Sequence, residues 1–298
     1  MAFVRKKKKK VTERIVDIVI ALILVIVIIC TVYPLWHVVM YSFSSSKAVM
    51  SGGVLLWPRQ FTTITYQALF KTTRFFIAFG NSFVRLIVGT LSSLIVTILT
   101  AYGLSVPELK GKRVIQFLFY FTMLFGGGLV PTYMVIKSLH LLDTFWVYIF
   151  PALLAPYNMF VMRNFFAGIP RSLSESAMLD GANHGQILTR IVLPLSKASI
   201  VTVSLFYIKA HWNSYMDGLI YVNSSKLELL QIYIRRLISA SGSLGALSEA
   251  GDLSGMKGVT EESIKMSVIS LSLVPIVLIY LFMQKHFVKG VTVGAVKG

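Results

Sequence analysis

SLSESAMLDGANHGQILTRIVLP, residues 172–194, holds one Glu, one Asp, one His and one Arg in a chain that is otherwise mostly apolar. It follows Ile169-Pro170-Arg171, and proline pushes the residue before it out of helical conformation. Ser172-x-x-Glu175 fits a capping box, in which the serine caps a helix and the glutamate reaches back. That spacing predicts a short helix over about 173–180, ended by Gly181 in a left-handed C-cap. A second helical stretch over 184–192 would place Ile187, Leu188 and Ile191 on one apolar face, and Pro194 would end it. Leu173, Ala177 and Met178 would give the first helix a compact apolar face. Such a face needs a cover, from this chain's own helices or from another protein.

The surroundings of the stretch are those of a membrane protein. The chain has 298 residues, 55% hydrophobic and 14% charged, with mean hydropathy +0.74. Soluble domains average about 25% charged residues, so too little polar surface exists here to cover a water-facing globule. Crossing a bilayer core takes about 20 apolar residues in a helix. Six segments qualify: 15–41, 80–104, 114–136, 145–164, 199–220 and 266–284. The cleanest is IVDIVIALILVIVIICTV before Tyr33-Pro34, and the fifth is interrupted by Lys209, His211, Asn213 and Asp217.

Charge tests the orientation, because cytoplasmic loops carry the Lys/Arg excess. With the N-terminus inside, residues 1–14, 105–113, 163–198 and 285–298 hold 7, 3, 4 and 3 Lys/Arg. The outward pieces 44–79, 137–144 and 221–265 are longer in total, yet hold 4, 1 and 5. The expected domain layout is a basic cytoplasmic N-terminus (1–14), a six-helix transmembrane body (15–284) with a cytoplasmic loop at about 165–198, and a cytoplasmic tail (285–298). RKKKKK at 5–10 could bind nucleic acid or anionic lipid. Placed directly before a spanning helix, it reads as a topology determinant, with membrane lipid as the partner and no nucleic acid. Cys30, the single cysteine, is preceded by bulky Ile28 and Ile29, which disfavours a lipid attachment site, and it excludes an internal disulfide.

Enzyme chemistry finds no support. The chain contains no G-x-x-x-x-G-K-[ST], H-E-x-x-H or C-x-x-C, and His37, His140, His184, His211 and His286 lack ligand spacing. No Ser/His/acid set can be assembled, so no catalytic residue and no metal site is expected. Transport by such a chain would draw on an ion gradient or on another polypeptide. Ionisable groups within spans are costly unless functional. Asp17 and Arg85 lie near span ends and can snorkel to the surface, whereas Lys209 and Asp217 are deeper. Two polar positions on one helix, with no internal repeat, give little support to the alternative of a self-sufficient ion-coupled carrier.

Glu175-Ser176-Ala177-x-x-Asp180-Gly181-Ala182, followed by Ile191-x-Leu193-Pro194, resembles the EAA loop of permease subunits of bacterial binding-protein-dependent ABC importers. The chain departs from that pattern at Ser176, a small-for-small change, and at Ala198, where many members have proline. Leu56-Trp57-Pro58 with Thr62 and Tyr66, Trp212-Asn213-x-Tyr215, and Gln284-Lys285-x-Phe287-Val288-Lys289-Gly290 with Gly294-Ala295-Val296-Lys297-Gly298 are similar to the carbohydrate-uptake subfamily. The resemblance covers most of the chain and is least characteristic at 225–265.

It implies an all-α, polytopic membrane protein of six transmembrane helices with the type I ABC importer permease fold. The chain would be a non-catalytic half-pore in the bacterial cell membrane, both termini cytoplasmic, importing a carbohydrate, with an oligosaccharide favoured. Its implied partners are a second homologous permease, an ABC ATPase dimer and an extracytoplasmic solute-binding protein. No cofactor would bind directly, ATP and Mg belonging to the ATPase. The loop would act as a coupling helix: Glu175 meeting a basic residue of the ATPase, Ser176, Ala177 and Met178 at the groove, Asp180, Gly181 and Ala182 at the turn. The capping box explains Glu175 equally well without a partner, and Asp180 is explained best as a local cap.

For the substrate path, Tyr157, Asn158, Tyr207, His211, Trp212, Asn213 and Tyr215 offer aromatic faces and polar groups. Helical spacing would put Tyr207, His211 and Tyr215 on one face, with Lys209 and Trp212 elsewhere. Interfacial anchoring or packing against the second permease would use the same residue types. Gly126–Gly128 permit close helix packing or a bend, and packing is the expectation.

Overall fold

The computed structural model describes residues 11–53, 56–239 and 259–295. The RKKKKK run and Val296-Lys297-Gly298 lie outside the described residues, as do the side chains of the tail motif from Gln284 on. The described residues are helical throughout their regular elements and fall into two units, one within 11–71 and 259–272, the other within 72–239 and 273–295.

In the first unit, helix α1 (Val11–Ser42) continues through Pro34. Its side chains from Ile15 to Ile29 are exposed, as an all-apolar helix facing lipid would be. Two short helices follow, α2 (Ser46–Met50) and α3 (Ile64–Leu69). The connecting segment is tied back to the end of α1. Trp36 Nε1 donates to the Leu56 carbonyl at 2.8 Å, the Thr62 N–H to the Phe43 carbonyl at 2.9 Å, and the Ser42 and Tyr66 hydroxyls share a 2.7 Å bond.

The second unit is built around α4 (Thr73–Ser105). Its buried stripe includes Ala78, Ser82, Arg85, Gly89, Ser93, Thr97 and Ala101, while Phe83, Ile87, Leu91, Ile95 and Leu99 are exposed. In water this pattern would be inside out. In lipid, hydrocarbon outside is as apolar as leucine, so helices associate through small residues that allow close approach and through hydrogen bonds. Ser93 Oγ accordingly donates to the Ala152 carbonyl at 3.2 Å and pairs with His211 Nε2 at 3.3 Å, and Thr97 Oγ1 pairs with the Tyr207 hydroxyl at 2.6 Å.

Helices α5 (Lys112–Leu124) and α6 (Leu129–Ser138) are bent by 120° at the Gly126–Gly128 run. The straight third span expected over 114–136 is therefore two pieces, and the glycines serve the bend. Gly128 has φ +82°, a region costly for other residues, and a Cβ at Gly126 or Gly128 would meet nothing within 4 Å. The fourth span comprises 3₁₀ turns over 145–152 and α7 (Pro156–Ala167), bent by 49°, with Pro156 opening the helix. Then come α8 (Arg171–Leu179), α9 (His184–Leu195) and α10 (Lys197–Asn213), the last two bent by 85°.

The expected fifth span, 199–220, breaks at Ser214 before α11 (Met216–Tyr221). Helices α12 (Leu230–Ser239) and α13 (Glu261–Ala295) complete the order. Among the described residues, α1, α4 and part of α13 are each long and apolar enough to cross a membrane, and counting each bent pair as one span brings the total to six.

One core joins α4, α7, α9 and α10 through Ala101, Met159, Met162, Phe166, Ile187, Val192 and Val203. A second gathers Ile136, Val147, Tyr148, Tyr221, Leu229 and Ile232. Arg85 does not snorkel: it is 1% exposed, bound to Asp217 Oδ2 at 2.5 Å, and its guanidinium lies 4.9 Å over the Tyr148 ring. Ser214 Oγ also donates to Asp217 Oδ2, at 2.8 Å, so the pair braces the break after α10. In the loop beyond, Glu228 is buried between Arg74 and Arg236. Burial raises its carboxyl above the usual range, and the Arg74 guanidinium opposes that rise.

Candidate functional site

The 172–194 stretch forms two helices joined at a glycine, with different chemistry at their ends from the expected one. Helix α8 begins at Arg171 behind Pro170, and no side chain caps it. Ser172 lies inside the helix, and the Ser172/Glu175 capping box is absent. Proline at the entry shifts the start by two residues, leaving the serine without free first-turn amides to accept from. The capping box of this loop belongs to α9. Gln186 N–H donates to Asn183 Oδ1 and Asn183 N–H to Gln186 Oε1, both at 2.9 Å.

The end of α8 is as the sequence predicts. Gly181 has φ +86°, its N–H donates to the Met178 carbonyl at 3.0 Å, and the Ala182 N–H donates to the Ala177 carbonyl at 2.9 Å. This is a Schellman motif. Asp180 is the C-cap residue and is exposed. Pro194 does not end the second helix. Over Leu188–Val192 the backbone takes a π turn, in which the Leu193 N–H bonds the Leu188 carbonyl, and the helix runs on to Leu195. The wider turn accommodates a proline that has no N–H to give.

Helix α8 is thus pinned at both sides and bare on top. Ala177 and Ala182 pack against the core that holds Ile187, Leu188 and Val192. Leu173 and Met178 are each 44% exposed and Leu179 is 90% exposed. Glu175 and Ser176 are exposed, and Glu175 makes no hydrogen bond or ion pair among the described residues. On one side of the helix is an open depression of about 410 Å³ lined by Asp180, Gly181, Gln186 and Arg190. On the other, Glu175 and Met178 border a cavity of about 190 Å³ that also takes in Lys112, Arg163, Arg171 and Glu108. His184 is exposed, with its Nδ1 3.1 Å from the Tyr102 hydroxyl, so it ties α9 to the end of α4.

The seven residues named for a substrate path do not come together. Tyr207, His211 and Trp212 are each 2% exposed. Tyr207 holds Thr97 and accepts from the Ala155 N–H at 3.1 Å, His211 stacks at 6.4 Å on Tyr207 and lies on Gly89, and Trp212 meets Phe79 edge-on. A Cβ on Gly89 would stand 2.7 Å from the His211 ring, so this glycine lets α4 and α10 touch. Tyr215 falls in the break after α10, under the Arg235 guanidinium at 5.1 Å, and does not share a face with His211. Tyr157, Asn158 and Asn213 do meet, with Phe206 and Lys209, in an open groove of about 670 Å³.

Lys209 lies off the face that holds Tyr207 and His211, as its spacing predicts, whereas no sequence signal singles out Phe206 or Leu179. Sequence reasoning missed the Asn183-x-x-Gln186 box, although Asn followed three residues later by Gln is a recognisable signal.

The family model of the binding-protein-dependent transport system inner membrane component matches residues 75–293. The polygalacturonan/rhamnogalacturonan transport system permease protein YtcP of Bacillus subtilis (strain 168) is 42% identical over 272 residues, 91% of this chain and 94% of that protein. Protein LplC of the same organism is 37% identical, with 90% of each chain covered. A chain from the crystal structure of a bacterial ABC transporter involved in the import of the acidic polysaccharide alginate superposes with a TM-score of 0.85 at 29% identity, covering 95% of this chain and 100% of that one. The chain therefore belongs to the family of inner membrane components of binding-protein-dependent transport systems, a non-catalytic permease of an ATP-driven importer and not a self-sufficient ion-coupled carrier.

Proposed function

We propose that this chain forms half of the translocation pore of a carbohydrate importer in the cytoplasmic membrane, both termini inside, and that α8 is the helix through which a separate ATPase drives it. The observation that carries the reading is the state of α8. It carries exposed Leu173, Met178 and Leu179, the last two one turn from an exposed Glu175 that has no role in capping and no partner among the described residues. An exposed Glu175 that does not cap its own helix supports contact with another protein. Ser176 and Met178 complete that contact, while Ala177, Asp180, Gly181 and Ala182 hold the helix to the body. A short helix clamped at its base and gripped at its crown passes closure of an ATPase dimer to the spans as a rigid-body movement.

The remaining partners are a second permease of the same family, a solute-binding protein outside the membrane, and the sugar itself. ATP and Mg reside on the ATPase. An oligosaccharide cargo is supported by relatives with 27–42% identity named for polygalacturonan/rhamnogalacturonan and arabinooligosaccharide transport, and by the exposed Tyr157, Asn213 and Phe206 with Asn158 in the groove.

The test is co-expression of the four components with Glu175→Lys in this chain. The expected result is loss of ATPase from the purified complex, or hydrolysis that no longer responds to the loaded binding protein. Wild-type assembly and stimulation in that variant would remove α8 as the coupling element.

A further inference from the structure

The groove between α7 and α10 holds several positive or donor groups that the fold itself leaves unused. Lys209 lies on α10, one turn before the break at Ser214, and makes no ion pair or hydrogen bond among the described residues. A charged amine within a membrane-spanning segment is costly unless it faces water, a counter-ion or a cargo. Asn158 is only 6% exposed, borders the same groove, and its side chain has no hydrogen-bond partner among the described residues. Its amide atoms are open to the groove, where they can hydrogen-bond a bound molecule.

The start of α7 points the same way. Ala155 is extended and supplies no side-chain cap, and the N–H groups of Tyr157 and Asn158 have no partner among the described residues. They stand at the partially positive end of a twelve-residue helix. In membrane transporters, helix N-termini within the bilayer commonly face anionic groups of the cargo. No Asp or Glu is among the groove's lining residues, and nearby Asp217 is engaged by Arg85 and Ser214. The rings of Tyr157 and Phe206, 6.3 Å apart, supply apolar faces beside the donors.

We propose that this groove is a carboxylate-recognising subsite on the transport path, in which Lys209, the Asn158 amide and the α7 N-terminus hold the uronate carboxylate of an acidic oligosaccharide. The proposal rests on the reading of the chain as half of a carbohydrate pore. Lys209 contributes charge, the α7 amides and Asn158 direct the carboxylate oxygens, and the aromatic rings carry the sugar face.

The experiment uses the complete importer in proteoliposomes, with wild type, Lys209→Gln and Lys209→Arg in this chain. The cargoes are a trigalacturonate and its carboxyl-reduced neutral counterpart, each at saturating concentration. Wild type is expected to move the trigalacturonate. Lys209→Gln should slow it by about tenfold or more, the scale of one lost charge-assisted hydrogen bond. Lys209→Arg should restore most of the rate.

Equal trigalacturonate transport by wild type and Lys209→Gln would overturn the subsite. So would an equal fall for both sugars, or a fall in complex yield, since Lys209 would then be pairing with an acid of the second permease. Transport of the neutral sugar with no transport of the acidic one would overturn the subsite while leaving the carbohydrate pore intact. Wild type moving neither these nor any other oligosaccharide would sink the pore reading itself.

Discussion

Replacing Gly181 tests the loop by backbone conformation alone. At φ +86° it occupies a region that L-residues avoid, and a Cβ there would meet nothing within 4 Å. Gly181→Ala therefore introduces no clash and removes no contact; its whole effect is the cost of a left-handed conformation. That cost is about 1–2 kcal/mol for an L-residue, equivalent to about a 5–30-fold shift in the balance between the Schellman turn and other turns. Because the Gly181 and Ala182 amides close α8 onto the Met178 and Ala177 carbonyls, the shifted population is one in which α8 is no longer held at its present angle to α9.

In the assembled importer, hydrolysis stimulated by loaded binding protein should fall several-fold for Gly181→Ala and further for Gly181→Val. Gly181→Asn should lie between wild type and Ala, since asparagine visits the left-handed region more readily. Amide exchange over 176–186 should accelerate in the same order. Wild-type stimulation and exchange in both the Ala and the Val variants would refute the claim that the left-handed turn sets the coupling geometry.

Two further substitutions separate local from tertiary causes. Gly89→Ala would press a methyl group onto the buried His211 ring from 2.7 Å, and overpacking of this kind costs about 1–3 kcal/mol. The thermal midpoint in detergent should drop, and His211→Ala in the same chain should recover part of the loss; a variant as stable as wild type would mean that α4 and α10 do not approach this closely. Asn183→Ala should cost about 1 kcal/mol through loss of the α9 cap, whereas Ser172→Ala should cost almost nothing. The two are compared by exchange protection at Gln186 and Ile187, and the reverse ranking would restore the Ser172/Glu175 box.

Much of the architecture was legible without coordinates. The lengths of the apolar runs picked out six segments, because a bilayer sets a minimum helix length; among the described residues three are single long helices and three are bent pairs. Gly181 announced its turn, because only glycine takes that conformation without strain. The EAA-like spacing carried the family, since it joins several short signals at set intervals. The same local logic failed where a pattern did not stand at a helix start. Ser-x-x-Glu and Asn-x-x-Gln both fit a capping box, but α8 begins at Arg171, ahead of Ser172, whereas Asn183 stands directly before α9. Gly126–Gly128 were compatible with packing and with bending, and only the empty space around them selected the bend.

Which face of α10 turns inward was beyond the reach of its own sequence. Tyr207, His211 and Lys209 differ little as candidates along one helix, whose local sequence sets a period and no direction. Direction came from α4, where Gly89, Ser93 and Thr97 form a small, hydroxyl-lined track. Ser93 and His211 are 118 residues apart in the chain, and Thr97 and Tyr207 110. Once that track receives Tyr207 and His211, Lys209 is rotated into the groove with Asn158. A contact between residues so distant in sequence leaves no mark in the local pattern of either helix.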